Sequence, residues 1–484
     1  MGRRDQGLGR FGVSKAAMAL SSMSLVSAYL HPLPATELFS DALWVEAMLR
    51  FEAQLARAQA DCDLIPEAAA QAIEQACACV LLDPAQMAQR ARETGALAMA
   101  VVEPLQHWLR SHRPEGLAWL HWGTTTQDVV DTANALLTAQ ALALLQQELQ
   151  GLQQHLLRLA ADHAATPIMG RSLLQPAQVT SFGLKCAQTA AALGRSSVQL
   201  QRLSAQALCV QLGGAVGNNA VLAEEARRVE QALAQRLRLG ACGHSWHTQR
   251  DSWLRLGMEV AVCGGALAKL AKDWSLLSQY EVGELSEAAR GQTSSAMPHK
   301  RNPVHCLQAL AHTRSVPQLA ATLLACMEQA HERALGEWQA EVVHWAQLWT
   351  QVHAAAAALR LAAEGLQVHA PRMHANVEGL HGVVFSEPLT QVLARWLSKP
   401  EAQRIVADGS QQALQQARPL PDVVVDHLVQ QGHAVPAELQ SQLHAAANAQ
   451  LAVQVSAARC HALIDDMPRV QHPGWEEARH DTHF

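Results

Sequence analysis

Leu142, Leu145, Leu149, Leu152, Leu156 and Leu159 recur at alternating steps of three and four residues. That period puts all six on one stripe of a long helix, packed along its length against other helices. Trp44, Met48, Phe51, Leu55 and Ala58 fall on one face in the same way, with Ser40 or Asp41 ahead of them as the cap. A second helix is expected from Pro66 to Cys79, with proline in its first turn. Longer helical stretches are predicted at about 180–208, 219–237, 252–279, 302–332 and 341–364. Strand alternation is almost absent. Breaks containing glycine and proline lie near 113–124, 166–176, 210–218, 283–303 and 365–382. The pattern predicts an all-α fold, a bundle of long and mostly antiparallel helices.

This reading divides the chain into an N-terminal extension (1–30), an N-terminal helical domain (31–120), a central long-helix bundle (121–365), a smaller C-terminal helical domain (366–470) and a polar tail (471–484). Helices with apolar seams this long need several partners, which suggests an oligomer whose core is intermolecular. The same periodicity also fits a monomeric bundle.

Composition narrows the function classes. The chain has 484 residues, 49% hydrophobic but only 4% aromatic, so its core is aliphatic. A net charge of -6, without a run of Lys or Arg, excludes the basic field that nucleic acid requires. No apolar run approaches the ~20 residues of a membrane span. None of the ten cysteines forms a Cys-x-x-Cys pair, and reduced thiols in a cytoplasmic protein are expected. Arg3 and Arg4 precede a mildly apolar stretch, Ala16 to Leu30, that Ser21, Ser22, Ser24 and Ser27 interrupt. An over-long start, with Met18 or Met23 as the true beginning, fits it better than a secretory signal.

Four polar segments interrupt the helices, where rigid elements can hold reacting groups. In His121-Trp-Gly-Thr-Thr-Thr-Gln-Asp-Val-Val-Asp-Thr-Ala133, three hydroxyls meet unpaired N–H groups at a helix start. That is a natural carboxylate site, and a simple threonine cap explains only Thr126. Gly170-Arg-Ser-Leu-Leu-Gln-Pro-Ala-Gln-Val-Thr-Ser-Phe-Gly-Leu-Lys185 is the second segment. The third is Trp246-His-Thr-Gln-Arg-Asp251, preceded by Gly213-Gly-Ala-Val-Gly217, whose glycines permit close backbone approach rather than forming a nucleotide loop. The fourth, Gly291-Gln-Thr-Ser-Ser-Ala-Met-Pro-His-Lys-Arg-Asn-Pro303, offers two adjacent hydroxyls, a lysine and Asn302-Pro303 as a cap and first-turn pair. Arg250 and Arg333, taken alone, would by default be surface ion pairs. His299, His305 and His331 lack metal-ligand spacing.

The Ser-Ser-x-Met-Pro-x-Lys-x-Asn-Pro pattern resembles the signature loop of the fumarase/aspartase superfamily, and the His121 segment resembles that family's His-x-Gly-x-Thr-Ser-x-Asp-x-x-Asp-Thr stretch. The resemblance runs from about Leu38 to at least Glu387. It implies a carbanion reaction β to a carboxylate, with Ser294 as the catalytic serine, Ser295 its competitor, and Lys300 and Asn302 stabilising the dianion. Substrate contacts are implied for His121, Thr125, Thr126, Ser172, Gln175, Arg250, Ser295, Met297 and Arg333. Many lyases of the superfamily carry histidine at the position of Leu173, so that proton-transfer role is vacant. The vacancy, Trp246-His-Thr-Gln-Arg-Asp251 and His331-Glu-Arg-Ala-Leu-Gly-Glu-Trp-Gln-Ala-Glu341 resemble the cycloisomerase branch, which lactonises 3-carboxy-cis,cis-muconate. The resemblance further implies a small tricarboxylate substrate, no cofactor, no metal, and a homotetramer whose sites draw on three subunits. The alternatives are a β-elimination lyase for a succinyl-bearing substrate and an inactive helical scaffold.

Overall fold

A computed structural model of the chain describes residues 29–30, 37–288, 297 and 300–470. Ser294 and Ser295 lie outside the described residues.

Four helices come first: α1 (Asp41–Asp61), α2 (Glu67–Cys79), α3 (Pro84–Thr94) and α4 (Met99–His112). Ser40 caps α1, its Oγ accepting the Leu43 N–H at 3.4 Å. The long body then runs through α5 (Thr126–Asp162), a hairpin of β1 (Pro167–Ser172) and β2 (Gln175–Ser181), and α6 (Phe182–Ala207). It continues with α7 (Ala226–Leu237), α8 (Asp251–Leu277) and β3 (Leu285–Glu287). Next come α9 (Val304–Thr313), α10 (Val316–Ala325), α11 (Glu337–Glu364) and β4 (Leu366–Val368). The C-terminal part comprises α12 (Ala370–Glu378), α13 (Ser386–Leu393), α14 (Lys399–Gln416), α15 (Leu420–Gln430), α16 (Ala437–Ala446) and α17 (Ala449–Asp466).

The leucine stripe lies where its period puts it. Leu142, Leu145, Leu149, Leu152 and Leu156 are buried and Leu159 is partly buried, in a core that α5 shares with α6, α8 and α11. A second core gathers α1, α2 and α4 around the first turns of α5 and α7, and a third lies among α13 to α16. From beyond that third core, α17 returns to pack on α6 and β2, so the last helix belongs spatially to the central body.

Three expectations need correction. The stretch 302–332 is two helices, because Pro317 falls in the first turn of α10 and cannot continue the ladder of α9. The stretch 219–237 is helical only from Ala226, after a 3₁₀ turn at Ala223–Glu225. The break at 166–176 opens the β1–β2 antiparallel hairpin, with Ser172 opposite Gln175 and Leu173 and Leu174 at its tip. Those leucines have φ of +52° and +66°. Two-residue turns of this kind ordinarily carry Asn-Gly, so Leu-Leu gives no warning of one.

Candidate active site

Two groups of candidate residues lie at opposite ends of the bundle. The 37 residues of α5 span about 55 Å, and α8, which starts beside the same end at Arg250, runs in the same direction for about 40 Å over 27 residues. His121, Thr125, Thr126 and Arg333 gather at the start of α5. Ser172, Gln175, Lys300 and Asn302 belong to the far end.

At the first end Thr125, rather than the Thr126 expected from the sequence, is the N-cap of α5, and Thr126 opens its first turn. Asp128 organises the segment from below. Its carboxylate accepts the Thr125 N–H at 3.1 Å, the Thr124 hydroxyl at 3.2 Å, and the Gly213 and Gly214 N–H groups at 2.9 and 3.0 Å. His247 Nε2 lies 2.7 Å from Asp128 Oδ1 and donates to it. Gly213 is required here: a Cβ would stand 2.8 Å from His247 Cε1 and 2.7 Å from Ser245 Oγ. Arg333 crosses to this loop, donating to the Gly214 and Ala215 carbonyls at 3.1 and 2.8 Å and to Gln127 Oε1 at 3.4 Å.

His121 sits beside this cluster at φ +58°, its Nδ1 2.6 Å from the buried Glu52 carboxylate. Burial alone would lower its pKa, but Glu52, through charge and hydrogen bond, and Asp128 together outweigh that and raise it above the ordinary value of 6.5. His121 therefore presents positive charge toward an anion over a wider pH range than a free imidazole.

Arg250 departs from expectation. Only 1% exposed, it is held by Asp131 at 2.8 and 3.2 Å and by Glu341 through both Nε and Nη2, with the Trp246 ring 4.6 Å beneath its guanidinium carbon. Asp131 also accepts the Trp338 indole N–H at 2.9 Å. With its donors committed to two buried carboxylates, Arg250 holds helices together and does not reach a substrate carboxylate. Burial raises the pKa of Glu341, with Arg250 opposing, and the pair of carboxylates in turn raises that of Arg250 against the effect of burial.

At the far end, Arg171 donates to both oxygens of buried Glu284 at 3.0 Å, tying the hairpin to the strand that leads toward the signature loop. Glu287 accepts the N–H groups of His305 and Cys306 at 3.0 Å each. Glu287 thus caps α9, a role the sequence assigned to Asn302. Lys300, Asn302 and Met297 are exposed, while Leu173 and Leu174 at the hairpin tip are 94% and 74% exposed. Ser172, Gln175, Met297, Lys300 and Asn302 are thus exposed at the end of the bundle opposite the chain's own threonine segment.

Asp128, Asp131, His247, Glu52 and Glu341 build the site without being among the candidates that the sequence singles out. Thr125-x-x-Asp128 is a capping-box spacing, and that signal was available. Nothing local to Glu52 or Glu341 announces partners 69 and 91 residues away.

A family model described as Lyase matches residues 34–316. The chain belongs to this family, the fumarase/aspartase superfamily. Within it, the chain is 38% identical over 402 residues to a 3-carboxy-cis,cis-muconate cycloisomerase of Bradyrhizobium diazoefficiens, covering 82% of this chain and 89% of that protein. It is 35% identical over 447 residues to a nitrosuccinate lyase of Streptomyces davaonensis, covering 90% and 93%. The crystal structure of the 3-carboxy-cis,cis-muconate lactonizing enzyme of Pseudomonas putida superposes with a TM-score of 0.84 at 33% identity, covering 92% of this chain and 99% of that one.

Proposed function

We propose that this protein is a cytoplasmic 3-carboxy-cis,cis-muconate cycloisomerase of aromatic-acid catabolism, in the protocatechuate branch of the β-ketoadipate pathway. The observation that carries the reading is the 38% identity to a protein of that name over 82% of the chain. Among the described residues, no helix is long and apolar enough to cross a membrane.

One substrate carboxylate adds to the activated double bond, and the electron pair moves onto the carbon beside a second carboxylate. The resulting dianion is protonated at that carbon, giving carboxymuconolactone with no atom lost. The attacking carboxylate needs no base, since its typical pKa near ~4 leaves it ionised at neutral pH. Leucine at position 173 is compatible with that chemistry, whereas a lyase leaving group would need a proton there. His121, Thr125, Thr126 and Arg333 bind substrate carboxylates; Ser172, Gln175, Ser295 and Met297 complete the pocket. Lys300 and Asn302 stabilise the dianion and Ser294 moves the proton.

The two groups of residues meet only if different copies supply them, so the functional unit is a homotetramer with shared sites. An apolar groove on the long body supports this: Met258, Ala261, Val262 and Gly265 of α8 line it with Val316 and Pro317 of α10, and Val262 is 62% exposed. An apolar surface on the middle of a long helix fits burial against another copy.

Incubation of the purified protein with 3-carboxy-cis,cis-muconate, followed by proton NMR, is expected to show the muconate replaced by a single lactone. An unchanged muconate spectrum, with turnover of a succinyl-bearing substrate instead, would assign the chain to the elimination branch. Light scattering is expected to give about four times the 52.3 kDa chain mass.

A further inference from the structure

We infer that the buried Asp128–His247 pair is a positioning device that sets the carboxylate-binding threonines and Arg333 in register with one another. The inference rests on the proposed carboxylate-binding role of Thr125, Thr126 and Arg333. Asp128 is fully buried and His247 is 3% exposed, so their hydrogen bond is shielded from solvent. Around Asp128, one carboxylate joins three segments distant in sequence: the threonine turn, the Gly213–Gly214 loop and the His247 turn.

The loop then passes this placement on. Gly213 and Gly214 give their N–H groups to Asp128, while the carbonyls of Gly214 and Ala215 receive the Arg333 guanidinium. Arg333 is therefore aligned with the threonine turn mainly through this loop, beside its longer 3.4 Å bond to Gln127 Oε1. His247 supplies the donor that fixes one oxygen of Asp128, leaving the other for the threonine turn and Gly214. His247 Nδ1 has no hydrogen-bond partner among the described residues, and a side chain at 213, whose Cβ would stand 2.8 Å from His247 Cε1, would displace the ring. Neither Asp128 nor His247 is asked to touch the substrate. Their effect is on the alignment of groups that do.

The deciding variants are His247→Leu, which removes the donor, and His247→Gln, whose amide N–H can reach Asp128. Because the aligned groups bind carboxylates in ground and transition states alike, His247→Leu is expected to raise KM about tenfold or more, with kcat within about threefold of the parent. His247→Gln is expected to return KM to within about threefold. In an Arg333→Ala background the KM effect of His247→Leu should shrink, since the two act through one loop. A fall in kcat without a rise in KM, or a glutamine variant no better than leucine, would overturn the inference and point to proton transfer by His247 itself.

Hydrogen exchange of the unliganded protein tests the clamp without any substrate. The 210–218 segment should exchange about tenfold faster or more in Asp128→Asn than in the parent, with the remaining helices unchanged. Unaltered protection there would overturn the inference even if the enzyme is active. A parent inactive on the muconate but with the expected exchange pattern would instead remove only the proposed substrate.

Discussion

At the start of α5, Asp128, Asp131, Arg250 and Glu341 are buried and matched to one another or to backbone donors within one chain. About 55 Å away along the same helix, the hairpin exposes two leucines at positive φ, and Lys300 and Asn302 open to solvent. Holding a non-glycine residue in the left-handed region costs roughly 1–2 kcal/mol, and two exposed leucines add unburied apolar surface. The first end is finished by folding. The second has the character of a surface that association completes, and the contrast assigns different kinds of work to residues that look alike in the sequence. Arg250 and Arg333 both sit in matched motif blocks, yet one is a buried brace and the other reaches a loop at the edge of the site.

The largest effect should follow from the signature loop. Ser294→Ala is expected to lower turnover by ~10²–10⁴-fold, as loss of a proton-transferring group does, with light scattering and circular dichroism unchanged. Ser295→Ala should lose less. A Ser295 variant slower than the Ser294 variant at equal helicity would reverse the assignment within the pair.

At the braced end the effect should fall on stability. Arg250→Ala leaves Asp131 and Glu341 buried without their cation and is expected to cost about 3–5 kcal/mol in denaturant unfolding. Arg333→Ala, which bonds mainly to carbonyls at the edge, should shift unfolding by far less while raising KM. Equal destabilisation by the two variants would erase the contrast drawn between them.

Leu173 offers a finer test. Leu173→His should not increase lactonisation, and Leu173→Trp should be tolerated better than Leu173→Asp. Position 173 is exposed in the single chain, so the effect arises where assembly encloses it: a carboxylate buried there near a triacid costs several kcal/mol through lost solvation and like-charge repulsion. Steady-state kinetics decide this, and a histidine variant faster than the parent would show that a general acid had been missing.

The smallest effect concerns His121 and Glu52. The His121 pKa is raised in the folded protein, so its contribution to stability is complete below the ordinary value of 6.5 and is lost as pH rises through the folded value. The melting midpoint of the parent should exceed that of Glu52→Gln most at about pH 6 and least at about pH 9. A gap that widens with pH would mean that the pair does not act as an ion pair.

The sequence made the helical body legible because one side-chain period governs it. The stripe from Leu142 to Leu156 is buried as its spacing requires. The β1–β2 hairpin escaped because Leu173 and Leu174 occupy turn positions that glycine and asparagine normally mark. For the site, motif blocks located the polar segments, but motif membership carries no information on which side chains turn inward. Whether Arg250 meets solvent or Asp131 and Glu341 depends on helix packing between residues 119 and 91 positions apart. Asp128 was visible as the last letter of a capping box, whereas its bond to His247 joins segments that only the fold brings together.

The central claim is that the two ends of the bundle form one site only across copies, and a hybrid oligomer tests it most directly. Ser294→Ala chains, with turnover nearly lost, and Arg333→Ala chains, assayed at substrate far below their raised KM, would carry different affinity tags and be co-expressed, and the doubly tagged species isolated. Activity on 3-carboxy-cis,cis-muconate well above that of either parent variant is predicted, because some sites then receive an intact Ser294 from one chain and an intact Arg333 from another. Doubly tagged oligomers as inactive as the two variants alone would contradict the claim and require both groups to serve the same site from a single chain.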